Sequence, residues 1–395
     1  MGSKKIITKN IWLLSFISLF TDMASEMLYP ILPLYLKEIG FTIIWIGILE
    51  GIAEAIAGLS KGYFGVWSDN VGKRIVFVRI GYTLSAISKP MIALFQSTTW
   101  ILASRSTDKI GKGIRTGARD ALLAEECTKE TKATIFGFHR SMDTVGAVVG
   151  PVVALIYLFY FPKDYKSLFY YAAIPGFFAI LFTFFIREKK SNITTTKAFP
   201  SFKKWVSFYK SSSIEYKQLV NILLIFALFN SSDFFLLLKM KETGLSDIQV
   251  IWVYIFYNCM YVFLAYPFGI LADKLGLKKM FLLGLFSFTI VYLFIGFLSN
   301  IYFLFFLFFI YAIFISCTEG VSKAWISNIS SKENQATAIG TFAGLQSIAA
   351  MLASFIAGLI WYQFGSLFTF ITTAIITIFV IAYIHLKIKS NASSS

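Results

Sequence analysis

The sequence predicts an all-α integral membrane fold of twelve spanning helices, and three observations carry that prediction. The 395-residue chain is 57% hydrophobic and 18% aromatic, with 43 Phe, and only 14% of it is charged, whereas a soluble domain carries about a quarter of its residues charged. Its apolar residues gather in windows of about 20, the length that crosses a hydrocarbon core of roughly 30 Å. A short charged signature also occurs once in each half, between two such windows: Gly65, Asp69, Gly72, Lys73 and Arg74, then Gly269, Asp273, Gly276, Lys278 and Lys279.

The windows fall at 11–36, 43–66, 75–96, 99–126, 131–160, 166–187, 218–240, 247–272, 279–299, 301–328, 333–362 and 366–386. The first runs past Asp22, Glu26, Pro30 and Pro33 without a small-residue cleavage pattern, so it reads as a spanning helix rather than a leader. The second contains Glu50, Glu54 and Lys61, and the third Arg79 and Lys89. The fourth carries Arg105, Asp108, Lys109, Lys112, Arg115, Arg119 and Asp120, which at 100° per residue fall in an arc of roughly 140° over about 22 Å of helix. An ionisable side chain at bilayer depth costs about 2.5–3.5 kcal/mol, so this mainly cationic face is expected to be wet and to point into the protein. His139, Arg140 and Asp143 lie in the fifth window, Asn230, Ser231 and Asp233 in the seventh, and Glu319 and Lys323, four apart and expected to pair, in the tenth.

The net charge of +15 is a topology signal rather than a nucleic-acid footprint. Basic residues concentrate at 4–9, 73–74, 129–132, 187–217, 274–279, 332 and 387–389, and the opposite loops hold few. The positive-inside rule then puts both termini in the cytoplasm. Residues 188–216 are rich in Lys, Ser and Thr and read as a linker, and 390–395 as a disordered tail. Cys127, Cys259 and Cys317 lack ligand spacing, and His139 and His385 alone make no metal site, so neither metal nor cofactor is expected. Gly111-Lys112-Gly113 lacks the upstream glycine and strand of a phosphate loop. No nucleophile, base and orienting group stand together, so an enzyme is not expected.

The paired signature, with aspartates 204 residues apart, resembles the loop between the second and third helices of the major facilitator superfamily. A second repeat, at a shift of 203, places Lys129 to Gly137 on Lys332 to Gly340. The resemblance implies two parallel six-helix bundles, 1–187 and 217–389, around a central cavity, working by alternating access as a monomeric secondary transporter of a bacterial-type inner membrane. Asp69, Gly72, Arg74, Asp273 and Gly276 would then serve gating. Gly137, Gly146, Gly150 and Pro151 resemble, in part, the fifth-helix antiporter signature of drug exporters, and residues 105–122 and 22–30 resemble a bacterial subgroup of the superfamily. Small residues at those intervals also serve plain helix packing.

In that family the first, fourth, seventh and tenth helices line the cavity, which makes Lys112, Arg115, Asn230 and Asp233 candidate substrate contacts; Arg140, in the fifth window, joins them because it lies near mid-membrane with Lys112 and Arg115, where cations outnumber acids. Guanidinium forks suit carboxylate or phosphate, so the cargo expected is a small organic anion such as a polycarboxylate, a carboxylate siderophore or a phosphorylated metabolite. Proton coupling is implied by the resemblance, with Asp22 and Glu26 as candidates; a permanent salt bridge is the competing role for each. Arg105, Asp108, Lys109, Arg119, Asp120, Asp143, Glu319 and Lys323 form a charge network whose competing role is to hold helices together. Two alternatives stand beside the anion transporter: a multidrug/proton antiporter, and a non-transporting receptor or lipid-handling protein.

Overall fold

The computed structural model describes residues 6–29, 31–41, 43–188, 202–230, 233–245, 247–298 and 300–387. All twelve windows are helical, three of them in two pieces. α1 (Lys9–Leu28) begins at Thr8, whose Oγ1 accepts the Ile11 N–H at 3.3 Å, satisfying one of the donors a helix start leaves orphaned. The first window is not one helix, because the chain leaves α1 at Leu28 and resumes as α2 (Leu32–Glu38). Proline lacks the N–H that an uninterrupted helix needs and is tolerated in a first turn, where Pro33 sits.

α3 (Ile43–Val71) ends at Gly72, whose φ of +66° reverses the chain into α4 (Arg74–Leu94). α5 (Thr98–Glu125) is capped by Ser97, and α6 (Lys132–Tyr160) follows. The sixth window divides into α7 (Tyr165–Tyr171), capped by Asp164, and α8 (Ala173–Thr183). The polar stretch expected as a plain linker contains a helix, α9 (Phe202–Ser211), and the next helix starts at once after it. The seventh window is α10 (Ile214–Phe229) and α11 (Phe234–Glu242), separated at Asn230 and Asp233. α12 (Asp247–Leu275) ends at Gly276, φ +100°, the counterpart of Gly72, and α13 (Leu277–Phe294) follows. α14 (Ile301–Ile329), α15 (Gln335–Phe364) and α16 (Ser366–Lys387) complete the chain. Among the described residues nine helical segments are long and apolar enough to cross a membrane. The tail at 390–395 lies outside the described residues.

The helices sort into two compact units, the first Met1–Thr128, Met142–Ser211 and Ser330–Ser347, the second Lys129–Ser141, Ser212–Ile329 and Ile348–Ser395. The first unit holds a core of Met27, Leu36, Leu49, Ile92, Ile101 and Phe169 with their neighbours. The second is aromatic at its centre, where Phe288 stacks on Tyr292 at 4.0 Å between ring centres and meets Phe314 at 4.7 Å and Phe226 at 5.1 Å.

Candidate functional site

In the first unit the ionisable residues belong to α5 and to the helices beside it. Glycine makes the approach close: a Cβ on Gly81 would stand 2.6 Å from the Gly111 carbonyl oxygen, and one on Gly111 2.6 Å from that of Gly81. The seven charges of α5 do not form one wet face. Toward α4, Asp108 meets Lys89 Nζ at 3.4 Å and Arg105 Nη1 at 3.6 Å. Arg115, 5% exposed, donates to Ser85 Oγ at 2.5 Å and lies 4.5 Å from the centre of the Tyr82 ring. Toward α3, Lys109 pairs with Glu54. Nearer the C-terminal end of α5, Arg119 meets its fully buried neighbour Asp120 at 2.8 Å and donates to Ser18 of α1 at 3.3 Å, and Ser18 donates to Asp143 of α6. Lys112, in the middle of the arc, is exposed, and with Lys61 it acts on the same Glu54 carboxylate. The physical reason for the split is that a buried charge without a partner costs several kcal/mol, so residues flanking the arc pair with the adjoining helix and only its centre stays open.

Asp22 and Glu26 are half-buried, one turn apart on α1. α6 comes down on the same turns through its small residues: a Cβ on Gly150 would stand 2.5 Å from the Met23 carbonyl oxygen, and one on Gly146 2.9 Å from the Met23 nitrogen. Pro151 continues within the helix.

In the second unit Arg140 Nε lies 2.9 Å from Glu319 Oε2 and donates to the Tyr261 hydroxyl at 3.0 Å, and that hydroxyl donates to the same Oε2 at 2.7 Å. The two charged side chains are about one-third exposed, 34% and 33%. Tyr261 stacks with Tyr257 at 6.5 Å, Tyr257 meets Tyr311 at 5.3 Å, and Tyr311 donates to Asp233 Oδ1 at 2.6 Å. A continuous line of tyrosines therefore joins two carboxylates. Asn230 and Asp233, expected on the face of an unbroken seventh helix, instead occupy its break, Asn230 as C-cap of α10 and Asp233 as N-cap of α11. Ser231 lies outside the described residues. Lys323 is half-buried one turn beyond Glu319 on α14.

The signature loops are built alike. Asp69 accepts the Ala336 and Thr337 N–H groups at 3.3 and 2.7 Å, and Asp273 those of Ala133 and Thr134 at 3.0 and 2.7 Å. Each aspartate thus caps the N-terminus of a long helix, α15 or α6, where orphan donors and the helix dipole favour an anion. The second repeat, 129–137 on 332–340, is the receiving end of this device. Its glycines cross the signature glycines: a Cβ on Gly65 would lie 2.5 Å from the Ala336 oxygen and one on Gly269 2.5 Å from the Ala133 oxygen.

Long apolar helices that keep many ionisable groups among them, with the same capping device at two loops, are those of an integral membrane protein. The chain belongs to the Major Facilitator Superfamily, whose family model matches residues 14–240 and 219–394. It is 33% identical over 364 residues to an uncharacterized MFS-type transporter of Methanocaldococcus jannaschii, covering 90% of this chain and 89% of that one. It is 23% identical over 190 residues to the quinolone resistance protein NorA of Staphylococcus aureus, 48% of each chain. Its fold is similar to the crystal structure of the human organic anion transporter MFSD10 (TETRAN), with a TM-score of 0.83 at 16% identity, covering 96% of this chain and 100% of that one.

Sequence reasoning missed the tyrosines. Tyr257 and Tyr261, four apart in the apolar middle of α12, were the available signal, since i, i+4 places two hydroxyls on one face. Nothing local marks Tyr311, Tyr82, Ser85 or Ser18, whose roles depend on which helix stands opposite.

Proposed function

We propose that this Major Facilitator Superfamily member is a proton-coupled transporter of a small organic anion, such as a polycarboxylate or a phosphorylated metabolite, in the cytoplasmic membrane with both termini inside. The observation that carries this reading is the cationic cluster around Lys112. Lys61, Lys109 and Lys112 all act on the Glu54 carboxylate, and Lys112 is exposed. A cluster of ammonium groups with an exposed member attracts an anion. Substrate contact is assigned to Lys112 and Arg140, with Asn230 and Asp233 at the break of the seventh window; Arg115, buried against Ser85 and Tyr82, positions α5 from behind. Asp22 and Glu26 are proposed as coupling carboxylates, and Asp69, Arg74 and Asp273 with Gly72 and Gly276 as the gating loops. The bundles 1–187 and 217–389, joined through 188–216, work as a monomer by alternating access. The structural likeness to an organic anion transporter agrees with this cargo class.

A drug/proton antiporter is the second reading, favoured by the similarity to a quinolone resistance protein over half the chain and by the close contact of Gly146 and Gly150 with α1. Purified protein in proteoliposomes with an internal pH dye separates the two. Proton movement on adding citrate or a sugar phosphate, lost in Lys112→Gln, is the result expected; movement triggered only by lipophilic cations would replace the anion reading with the antiporter.

A further inference from the structure

Arg140 and Glu319 form a partly exposed ion pair with a shared tyrosine, and this geometry has a consequence for coupling. One Glu319 oxygen, Oε2, takes both the guanidinium Nε and the Tyr261 hydroxyl. The same Nε faces that hydroxyl, and the guanidinium carbon stands 5.9 Å from the Tyr261 ring centre. An incoming carboxylate or phosphate that engages Arg140 must therefore compete with Glu319 for it. Deprived of its counter-ion, a carboxylate in a partly desolvated site regains neutrality by taking a proton. The reverse holds by linkage, since protonating Glu319 frees the guanidinium for the solute.

We propose that Arg140 and Glu319 act as an exchange pair in which anion binding and proton binding reinforce each other, so that the solute and a proton travel in the same direction. This deepens the anion-transport reading and rests on it, and it moves one coupling carboxylate from α1 to α14. The step balances simply: the anion replaces the Glu319 carboxylate at the guanidinium, and a proton drawn from the bulk solution on the same side binds Glu319, with the Tyr261 hydroxyl turning from donor toward the carboxylate to acceptor from the acid.

The other titratable groups around Glu319 act in both directions: the Asp233 carboxylate favours its protonation and Lys323 opposes it. α12 brings Tyr261 and Tyr257, and α11 brings Asp233, whose negative charge adds to that of Glu319. α6 brings Arg140 with the buried His139 beside it, and Lys323 follows one turn along α14. α13 and α10, which also pack on α14, carry Lys278, Lys279, Glu215 and Lys217 in their first turns.

Infrared difference spectroscopy on the reconstituted full-length protein tests the pair without needing the natural solute. In Arg140→Gln a protonated-carboxyl band is expected near neutral pH that is absent from wild type and disappears in Arg140→Gln/Glu319→Gln. A spectrum for Arg140→Gln identical to wild type, in protein that still reconstitutes with native helix content, would overturn the proposal. Arg140→Lys, which keeps the charge, should show no band. Citrate serves as the probe anion in a second measurement: proton uptake by wild type on its addition, abolished in Glu319→Gln, is expected, and proton release would overturn co-transport. Absence of any citrate response together with the new band removes the polycarboxylate reading and leaves the exchange pair standing.

Discussion

The two signature loops use one backbone device with two different charge balances. In both, an aspartate caps the start of a long helix through two consecutive N–H groups at nearly the same distances. Around Asp69, however, Arg74 Nη2 adds a pair at 2.9 Å and reaches the Lys332 carbonyl at 3.1 Å, while Nη1 pairs with Glu125. Thr337 Oγ1 donates to Asp69 at 2.8 Å, and Glu188 caps the Arg74 and Ile75 N–H groups at 2.6 and 3.2 Å. Asp69 and Arg74 are both buried. At the position equivalent to Arg74 stands Lys278, which donates instead to the His385 carbonyl at 3.1 Å. Asp273 is only half-buried. A planar guanidinium can bind an aspartate, a glutamate and a carbonyl together, whereas an ammonium is a single point charge. The lesson is that a duplicated fold can keep its helix-capping geometry and let the charges around it diverge.

The largest effect is expected at Asp69. Asp69→Asn leaves Arg74 buried without one of its two carboxylates, and breaking a buried pair costs about 3–5 kcal/mol; the thermal transition of the purified protein in detergent should fall sharply. Asp273→Asn keeps one acceptor oxygen and loses one of two cap contacts, a cost below about 1 kcal/mol, so a loss equal to that of Asp69→Asn would break the comparison. Gly65→Ala and Gly269→Ala should cost similar amounts, about 1–3 kcal/mol each, because the added methyl meets a carbonyl oxygen at the same 2.5 Å in both units. A marked inequality there would mean that the backbone device itself differs. Lys278→Arg should change stability by less than about 1 kcal/mol, since a half-buried cation near the surface gains little.

The smallest effect belongs to a loop outside both signatures. Asp164 caps α7, and the Tyr157 hydroxyl at 2.6 Å, with the Ser167 N–H, holds its carboxyl below the usual range. A depressed carboxylate adds stability that is present above its unfolded pKa and is lost as pH falls through the folded one. Asp164→Asn should therefore flatten the acid side of the stability profile slightly and leave neutral pH almost unchanged, which an unfolding series across pH reads directly.

Much of this architecture was legible because membrane burial leaves a coarse mark. A window such as 301–328 has no soluble explanation, and Gly72 and Gly276 announced turns that only a residue free of Cβ makes easily. The repeat of Lys129 to Gly137 on Lys332 to Gly340 was visible too, although its meaning as the capped end of a helix was not. The helix breaks at Leu28 and at Asn230 were missed for a different reason: mean apolarity runs straight through them, and a twenty-residue window averages over an interruption of three or four residues.

What the sequence determined by itself was the membrane class, the paired signature, the helical windows and the inventory of charges, because each depends on composition or on spacing along one chain. Only the tertiary structure decided which charge meets which. Helical period set the α5 residues in one arc, but α3 and α4 drew its flanks inward to Glu54, Lys89 and Ser85, left Lys112 open, and set Arg140 against Glu319 and Tyr261. Pairing depends on the helix opposite, and no local pattern encodes which helix that is.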